Sequence, residues 1–232
     1  MQSHHRIFWK GITHSLPFIA VVVPFGFLFG VIATEAGLNI VQTMSFSLVV
    51  VAGAAQFTAL TLLMDNAPTV VAILTALAVN LRMAMYSAAL APHLGPAPLW
   101  KRALVAYGLV DQAFILSDTA YQKHTDWSVD EKLAYYAGST VLIIVLWMIV
   151  TYAGGMVGTA LPEWLALDFA LPMTFVAMIA PGLRTPAHMV AAGVSVLGAL
   201  TFAFVPYGLG LLLAALCAMA AGAEVERRMM QR

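Results

Sequence analysis

The sequence predicts an all-α, polytopic membrane helix bundle of about eight spans, with seven as the alternative count, forming a single integral-membrane domain over residues 1–232. Three observations predict it. Hydrophobic residues fill 62% of the positions and charged residues only 9%, where soluble domains average about 45–50% apolar and about 25% charged. The mean hydropathy of +0.89 is more than one core of this size can hide, so the lipid bilayer must solvate much of the surface. The apolar residues also fall into runs close to the roughly 20 residues that cross a hydrocarbon core.

The first run, 16–34, follows the basic stretch MQSHHRIFWKGITHS. It contains Pro17, Pro24, Gly26 and Gly30 and continues without a small-residue cleavage site, so it is expected to be a retained span and not a removed signal. The second, 40–64, carries VAGAAQFTAL, and the third, 67–90, carries VNLRMAMYSAAL. The fourth, 102–121, holds Asp111 and Asp118; the fifth, 131–158, is long and apolar. The sixth, 169–183, is short and holds Pro172 and Pro181, and 187–205 and 207–223 close the chain. Cys217 is the single cysteine, so no internal disulfide exists.

Lysine and arginine placement orients the spans, because cytoplasmic loops hold an excess of both. With the N-terminus inside and eight crossings, Arg6, Lys10, Lys123, Lys132, Arg184, Arg227, Arg228 and Arg232 are cytoplasmic. The acidic loop PEWLALD (162–168) falls outside. Seven crossings would put Arg227 and Arg228 outside, which favours eight, both termini cytoplasmic, in the plasma (inner) membrane. Lys101 and Arg102 then lie on the wrong side, which points to one early segment being re-entrant. A faint inverted repeat pairs LPFIAVVVPFG (16–26) with LPMTFVAMIAPG (171–182) and AGAAQFTALT (52–61) with AGVSVLGALT (192–201). Proline- and glycine-broken helices related in this way form midplane substrate sites in transporters.

Arg82 and Asn80 carry the clearest chemistry. An ionisable residue at membrane depth costs about 2.5–3.5 kcal/mol on insertion scales and marks a functional site by default. Two residues apart, the pair points about 200° apart on a straight helix, so one pocket cannot hold both unless the helix is irregular. The balancing charge for Arg82 is expected at Asp111, in a stripe Tyr107, Asp111, Ile115, Asp118 along one helix; Asp111 alternatively takes up and releases a proton during transport. Gln56, just after Gly53 and two alanines, is either an interhelical clip or part of a broken helix facing a substrate. No G-x-S-x-G elbow, H-E-x-x-H, zinc spacing or Gly-rich phosphate loop occurs, so neither an enzyme nor a cofactor is expected. With net charge zero and no basic–aromatic cluster, neither is nucleic acid.

The ordered set PFGFLFG, EAGL, AGAAQF, VNLRMAMYSAAL, YGLVDQAF and LDFALPMTF resembles the AzlC-type branched-chain amino-acid permeases, the LIV-E exporters. The likeness spans most of the chain; Ala55, Met83 and Gln112 depart from common family residues. The resemblance implies export of branched-chain amino acids (valine, isoleucine, leucine), in some members methionine, and a small separately encoded AzlD-type membrane subunit as partner. Its motif positions fall on Gly53, Gln56, Asn80, Arg82 and Asp111; on the chemistry of the side chains, Gly53, Gln56, Asn80 and Arg82 are expected to bind substrate and Asp111 to balance charge or couple an ion or proton. Two other readings stay open: a passive channel or facilitator for a small neutral solute, and a structural subunit of a membrane complex.

Overall fold

The computed structural model describes residues 4–158, 183, 185–205 and 209–231. The expected sixth segment up to residue 182, the loop PEWLALD and the 171–182 member of the repeat pair lie outside the described residues. The chain forms two compact units, one of Met1–Phe57 and Val79–Leu165, the other of Thr58–Ala78 and Ala166–Arg232. In order the helices are α1 (His4–Ser15), a 3₁₀ turn (Leu16–Phe18), α2 (Ile19–Glu35), α3 (Ile40–Val49), α4 (Gly53–Met64), α5 (Thr69–Leu94), α6 (Leu99–Tyr107), α7 (Asp111–Lys123), α8 (Val129–Gly158), α9 (Pro186–Thr201) and α10 (Leu209–Met230). Among the described residues no strand is present. Among the described residues four stretches are long and apolar enough to cross a membrane: His4–Glu35, Thr69–Leu94, Val129–Gly158 and Leu209–Met229.

The first unit is organised by α1–α2 packed along α8. A Cβ on Gly11 would strike the backbone of Tyr135 and Gly138, and one on Gly138 the backbone of Phe8. Further along, Gly30 abuts Thr151 and Gly155, Gly154 abuts Phe27, and Gly158 abuts Val31. Residue numbers rise together on both sides, so the two helices run parallel. Small residues are what allow such backbone approach in lipid, where apolar side chains gain nothing by leaving acyl chains for one another. Nineteen residues separate Gly11 from Gly30 but only sixteen separate Gly138 from Gly154, so α1–α2 is about 4.5 Å longer between equivalent contacts. It bows over the stretch that holds the 3₁₀ turn with Pro17 and the interior Pro24.

Between these two helices lie two apolar segments that do not run through as single helices. An Asn39–Gln42 capping box starts α3. That helix descends α8 in the opposite sense, with Ile40 near Gly155 and Ser47 bonded to Trp147. It ends at Val50 (φ −120°, ψ 89°). The first turn of α4 then sets off alongside α2, Gly53 against Phe25 and Phe57 against Phe25 and Phe29. In the fourth segment, α6 runs with α8, from Lys101 bonded to Asp130 at 2.8 Å to Gly108 against Thr140 and Ile144. After Val110, extended at φ −115°, ψ 162°, α7 returns, until the Tyr121 hydroxyl donates to the Lys132 carbonyl at 2.7 Å. It leaves at the end where α6 entered. This corrects the expected crossing at 102–121, and the stripe from Tyr107 to Asp118 is split between two helices. Hydropathy reads an apolar hairpin and an apolar span alike, because lipid solvates both.

The half-way return of α3–α4, before Lys101 in the chain, relocates Lys101 and Arg102. The starts of α1, α6 and α8 and the ends of α5 and α7 meet at one end of the unit, tied by Lys101–Asp130, by Lys10 to His124 at 3.1 Å and by Lys132 to His93 at 3.4 Å. Arg6, Lys10, Lys101, Arg102, Lys123 and Lys132 therefore share that end, and Arg82 is the one described basic residue of the unit away from it. In the second unit α9 and α10 form an antiparallel pair, Gly198 on Ala214 and Gly222 on Ala191.

Two measurements check this arrangement. Cysteines placed singly at Arg6, Lys101 and Lys123, in a Cys217→Ala background, should react with an impermeant thiol reagent from the same membrane face; Lys101 labelled from the face opposite Arg6 would remove the α3–α4 return, and Lys123 from the face opposite Lys101 the α6–α7 hairpin. Gly154→Leu should destabilise the protein by about 1–3 kcal/mol or more through overpacking, read as earlier thermal unfolding in detergent.

Candidate functional site

The breaks of both hairpins lie level with the middle of α8. Ser47 meets Trp147 and Gly108 meets Thr140, positions roughly 16–27 Å along a helix of about 45 Å. The two tips touch, since the Tyr107 hydroxyl at the end of α6 donates to the Leu48 carbonyl at the end of α3. That bond satisfies one of the carbonyls a helix C-terminus leaves free. The Tyr136 hydroxyl does the same for Val105, at 2.7 Å.

At the α3–α4 tip, Gln56 is fully buried in the second turn of α4. Its Nε2 donates to Ser47 Oγ at 3.0 Å, and Trp147 Nε1 donates to the same oxygen at 3.3 Å. Gln56 Oε1 is buried without a hydrogen-bond partner among the described residues. Turning the carboxamide over would let Ser47 donate to Oε1 and leave Nε2 free, so in either orientation one end of the amide is left over. Gly53 holds no such group. Its α-carbon lies against the rings of Phe25 and Trp147, where a Cβ would come within 2.8 and 2.9 Å of ring carbons.

At the α6–α7 tip, Asp111 begins α7, where the helix dipole favours a negative charge. Arg82 Nη1 reaches its Oδ2 at 3.1 Å, each side chain about a quarter exposed. The Tyr86 hydroxyl donates to Oδ1 at 3.0 Å, and the Tyr86 ring stacks on Phe114 with centroids 4.1 Å apart and planes 9° apart. Both carboxylate oxygens are thus held by α5. Arg82 Nε and Asn80 Oδ1 are buried without hydrogen-bond partners among the described residues. Because α5 is continuous from Thr69 to Leu94, Asn80 and Arg82 face different neighbours, the alternative to an irregular helix.

The structure therefore joins Arg82 to Asp111, as expected, and seats Gly53 and Gln56 at a helix break. It brings Asn80 to neither pair. Three contributors were missed. Tyr86 lies four residues after Arg82 on the same helical face, so the spacing carried the signal. Ser47 and Trp147 gave none, being an ordinary serine and tryptophan in apolar runs.

The fold and site define a multi-pass helical membrane protein whose half-helices carry polar side chains to mid-depth. The profile of AzlC proteins matches residues 17–161, and the chain belongs to the AzlC family. It is 30% identical over 152 residues to an uncharacterized membrane protein of Archaeoglobus fulgidus, covering 61% of this chain and 67% of that one. It is 27% identical over 183 residues to the inner membrane protein YgaZ of Escherichia coli, covering 74% and 71%. A third relative, an uncharacterized membrane protein of Helicobacter pylori, is 24% identical over 179 residues, covering 77% and 76%. No solved structure matches the chain.

Removing one member of a fully buried ion pair costs about 3–5 kcal/mol, and less is expected here at quarter exposure. Asp111→Asn should lower the thermal midpoint, and Arg82→Leu combined with Asp111→Leu should recover most of that loss; a double variant no better than the single would show the charges to be uncoupled. Tyr86→Phe keeps the stacking and should cost about 1 kcal/mol, measured the same way.

Proposed function

We propose that this chain is the transport subunit of an exporter of branched-chain amino acids (valine, isoleucine, leucine and also methionine), ion- or proton-coupled and working with a small AzlD-type membrane subunit. One observation carries the reading. Three of the five candidate residues keep a buried polar atom without a hydrogen-bond partner, two acceptors on Gln56 and Asn80 and one donor on Arg82. Orphaned buried groups are rare, and this set complements a zwitterion: acceptors for an ammonium, a guanidinium donor for a carboxylate. Asp111, both oxygens engaged, balances Arg82 and holds its charge until a substrate carboxylate competes for it. The aromatic rings around Gly53 suit an apolar side chain nearby.

Membership of the AzlC family supports transport, and the name of the Escherichia coli relative supports the inner membrane. On the positive-inside rule the end holding Arg6, Lys10, Lys101, Arg102, Lys123 and Lys132 faces the cytoplasm. Of the eight apolar segments read from the sequence, two then become half-way returns. Exchanging two crossings for two returns leaves both termini cytoplasmic, and residues 1–232 act as one transporter domain. A passive channel is the second reading, favoured by the meeting of opposed half-helices at mid-depth.

The test is efflux of valine from cells fed a valine-containing dipeptide, with the chain expressed alone or with the small subunit. Faster efflux requiring both, saturating and showing counterflow, is the expected result; non-saturating flux without counterflow would favour the channel. Arg82→Leu should reduce efflux to the rate of cells lacking the protein while the variant remains in the membrane. Undiminished efflux would remove Arg82 from the site.

A further inference from the structure

Two apolar grooves run along the outer face of α8. One, of about 740 Å³, lies between α6 and α8, with Trp100, Leu104, Tyr107 and Val145 in its walls. The other, of about 300 Å³, lies between α3 and α8, with Val41, Leu48, Met148 and Tyr152. They meet end to end, because the Tyr107 hydroxyl of the first donates to the Leu48 carbonyl of the second. Between Asp130 at one mouth and Tyr152 at the other, α8 rises about 33 Å, against a hydrocarbon core of about 30 Å. The two half-helices thus wall one trough through both leaflets.

The dimensions and chemistry select an occupant. A lipid chain enters from one face and ends near the bilayer centre, so it fills at most one of the two grooves. Water is disfavoured by the apolar walls. Yet the trough is not a surface that lipid can simply cover: the helix break after Val49 lies beside it, with Leu48 and Val49 57% and 75% exposed. Beyond Phe46, whose carbonyl accepts from Val50, the last carbonyls of α3 have no helical partner, and among the described residues Tyr107 reaches that of Leu48. Broken backbone at membrane depth is tolerated only where protein covers it or a water-filled cavity receives it. A second copy of this chain would have to insert some other helix, a heterologous contact that builds a ring or an open array and not a two-fold pair.

We propose that this trough seats one membrane-spanning helix of a separate, small polypeptide, with a small residue opposite the Tyr107–Leu48 contact so that it approaches the exposed backbone closely. The inference rests on the two-subunit reading above and names the surface that reading requires. It places the partner against the tips of both hairpins, where Tyr107 meets Leu48.

The experiment places a photo-crosslinking residue singly at Val145 or Met148 on the trough floor, or at Met85 on the exposed face of α5 as control, in cells also making the AzlD-type protein. Label transfer to the small protein from Val145 and Met148, at least tenfold above Met85, is expected. Val145→Trp should lower co-purification at least tenfold with the thermal midpoint of the isolated chain unchanged. Co-purification with transfer from Met85 alone, or transfer only to lipid or to a second copy of this chain, would overturn the trough while leaving a partnership intact. Failure of the small protein to co-purify with the unaltered chain would sink the two-subunit reading, and the trough's occupant with it.

Discussion

The first unit hangs on the seam where α1–α2 and α8 meet backbone to backbone. Two apolar helices in lipid have no hydrophobic reason to prefer each other, so the seam must draw on close dispersion contact and on Cα–H to carbonyl approaches. Gly11 and Gly138 at one end, and Gly30, Gly154 and Gly158 at the other, supply that proximity from both sides. A bulky residue at any of these positions would move two helices apart along their length. The parallel sense of the seam then governs what lies between its members. The chain has to return once, and the part of α5 that meets α7 does so, running toward the basic end where His93 meets Lys132. The segments on either side of α5 are left to enter and turn back.

A helix that stops at mid-depth presents ends where the bilayer offers no water, and each end needs a local answer. Two half-helices point C-termini inward, α3 and α6, and two begin there, α4 and α7. The α6 end is met by Tyr136 and the α3 end by Tyr107. Asp111 meets the start of α7 with a charge of the sign that the dipole favours. The start of α4, Gly-Ala-Ala-Gln, carries no acidic residue. One inward-facing helix start thus carries a charge of the complementary sign in its own first turn, and the other has Gln56 there.

Membrane character, helix content and the Arg82–Asp111 pair were legible in the sequence, because composition and an isolated intramembrane cation leave few alternatives. The misfit of Lys101 and Arg102 with the positive-inside rule was legible too, and it pointed to the right kind of error. Which segment turned back was not. Gly108 and Val110 that end α6, and Val49 to Val51 that end α3, are common in spans, and their effect depends on Thr140 and Trp147 of α8 receiving the tips. Tyr86 could have been found by spacing from Arg82. Ser47 and Trp147 could not, since the bond joining them to Gln56 crosses three helices whose packing no local pattern encodes.

Packing also separates the parts of this unit that can move from the parts that cannot. The α1–α2 and α8 seam is close-packed through backbone, so sliding it would drive carbonyls into glycine α-carbons. Helix α6 is the opposite case. None of its residues is buried, and grooves flank it on both sides, one shared with α8 and a smaller one, of about 220 Å³, shared with α5. It is held chiefly by polar contacts, Lys101 to Asp130, Tyr136 to Val105 and Tyr107 to Leu48. Elements with few buried contacts are those that open at low free energy. On the transporter reading, α6 is therefore the mobile arm, while α7, with Ala113, Ser117, Ala120 and Tyr121 buried, stays with the frame that the glycine seam sets. Asp111, at the start of α7 and tied to Arg82 and Tyr86 of α5, then marks the joint about which α6 moves.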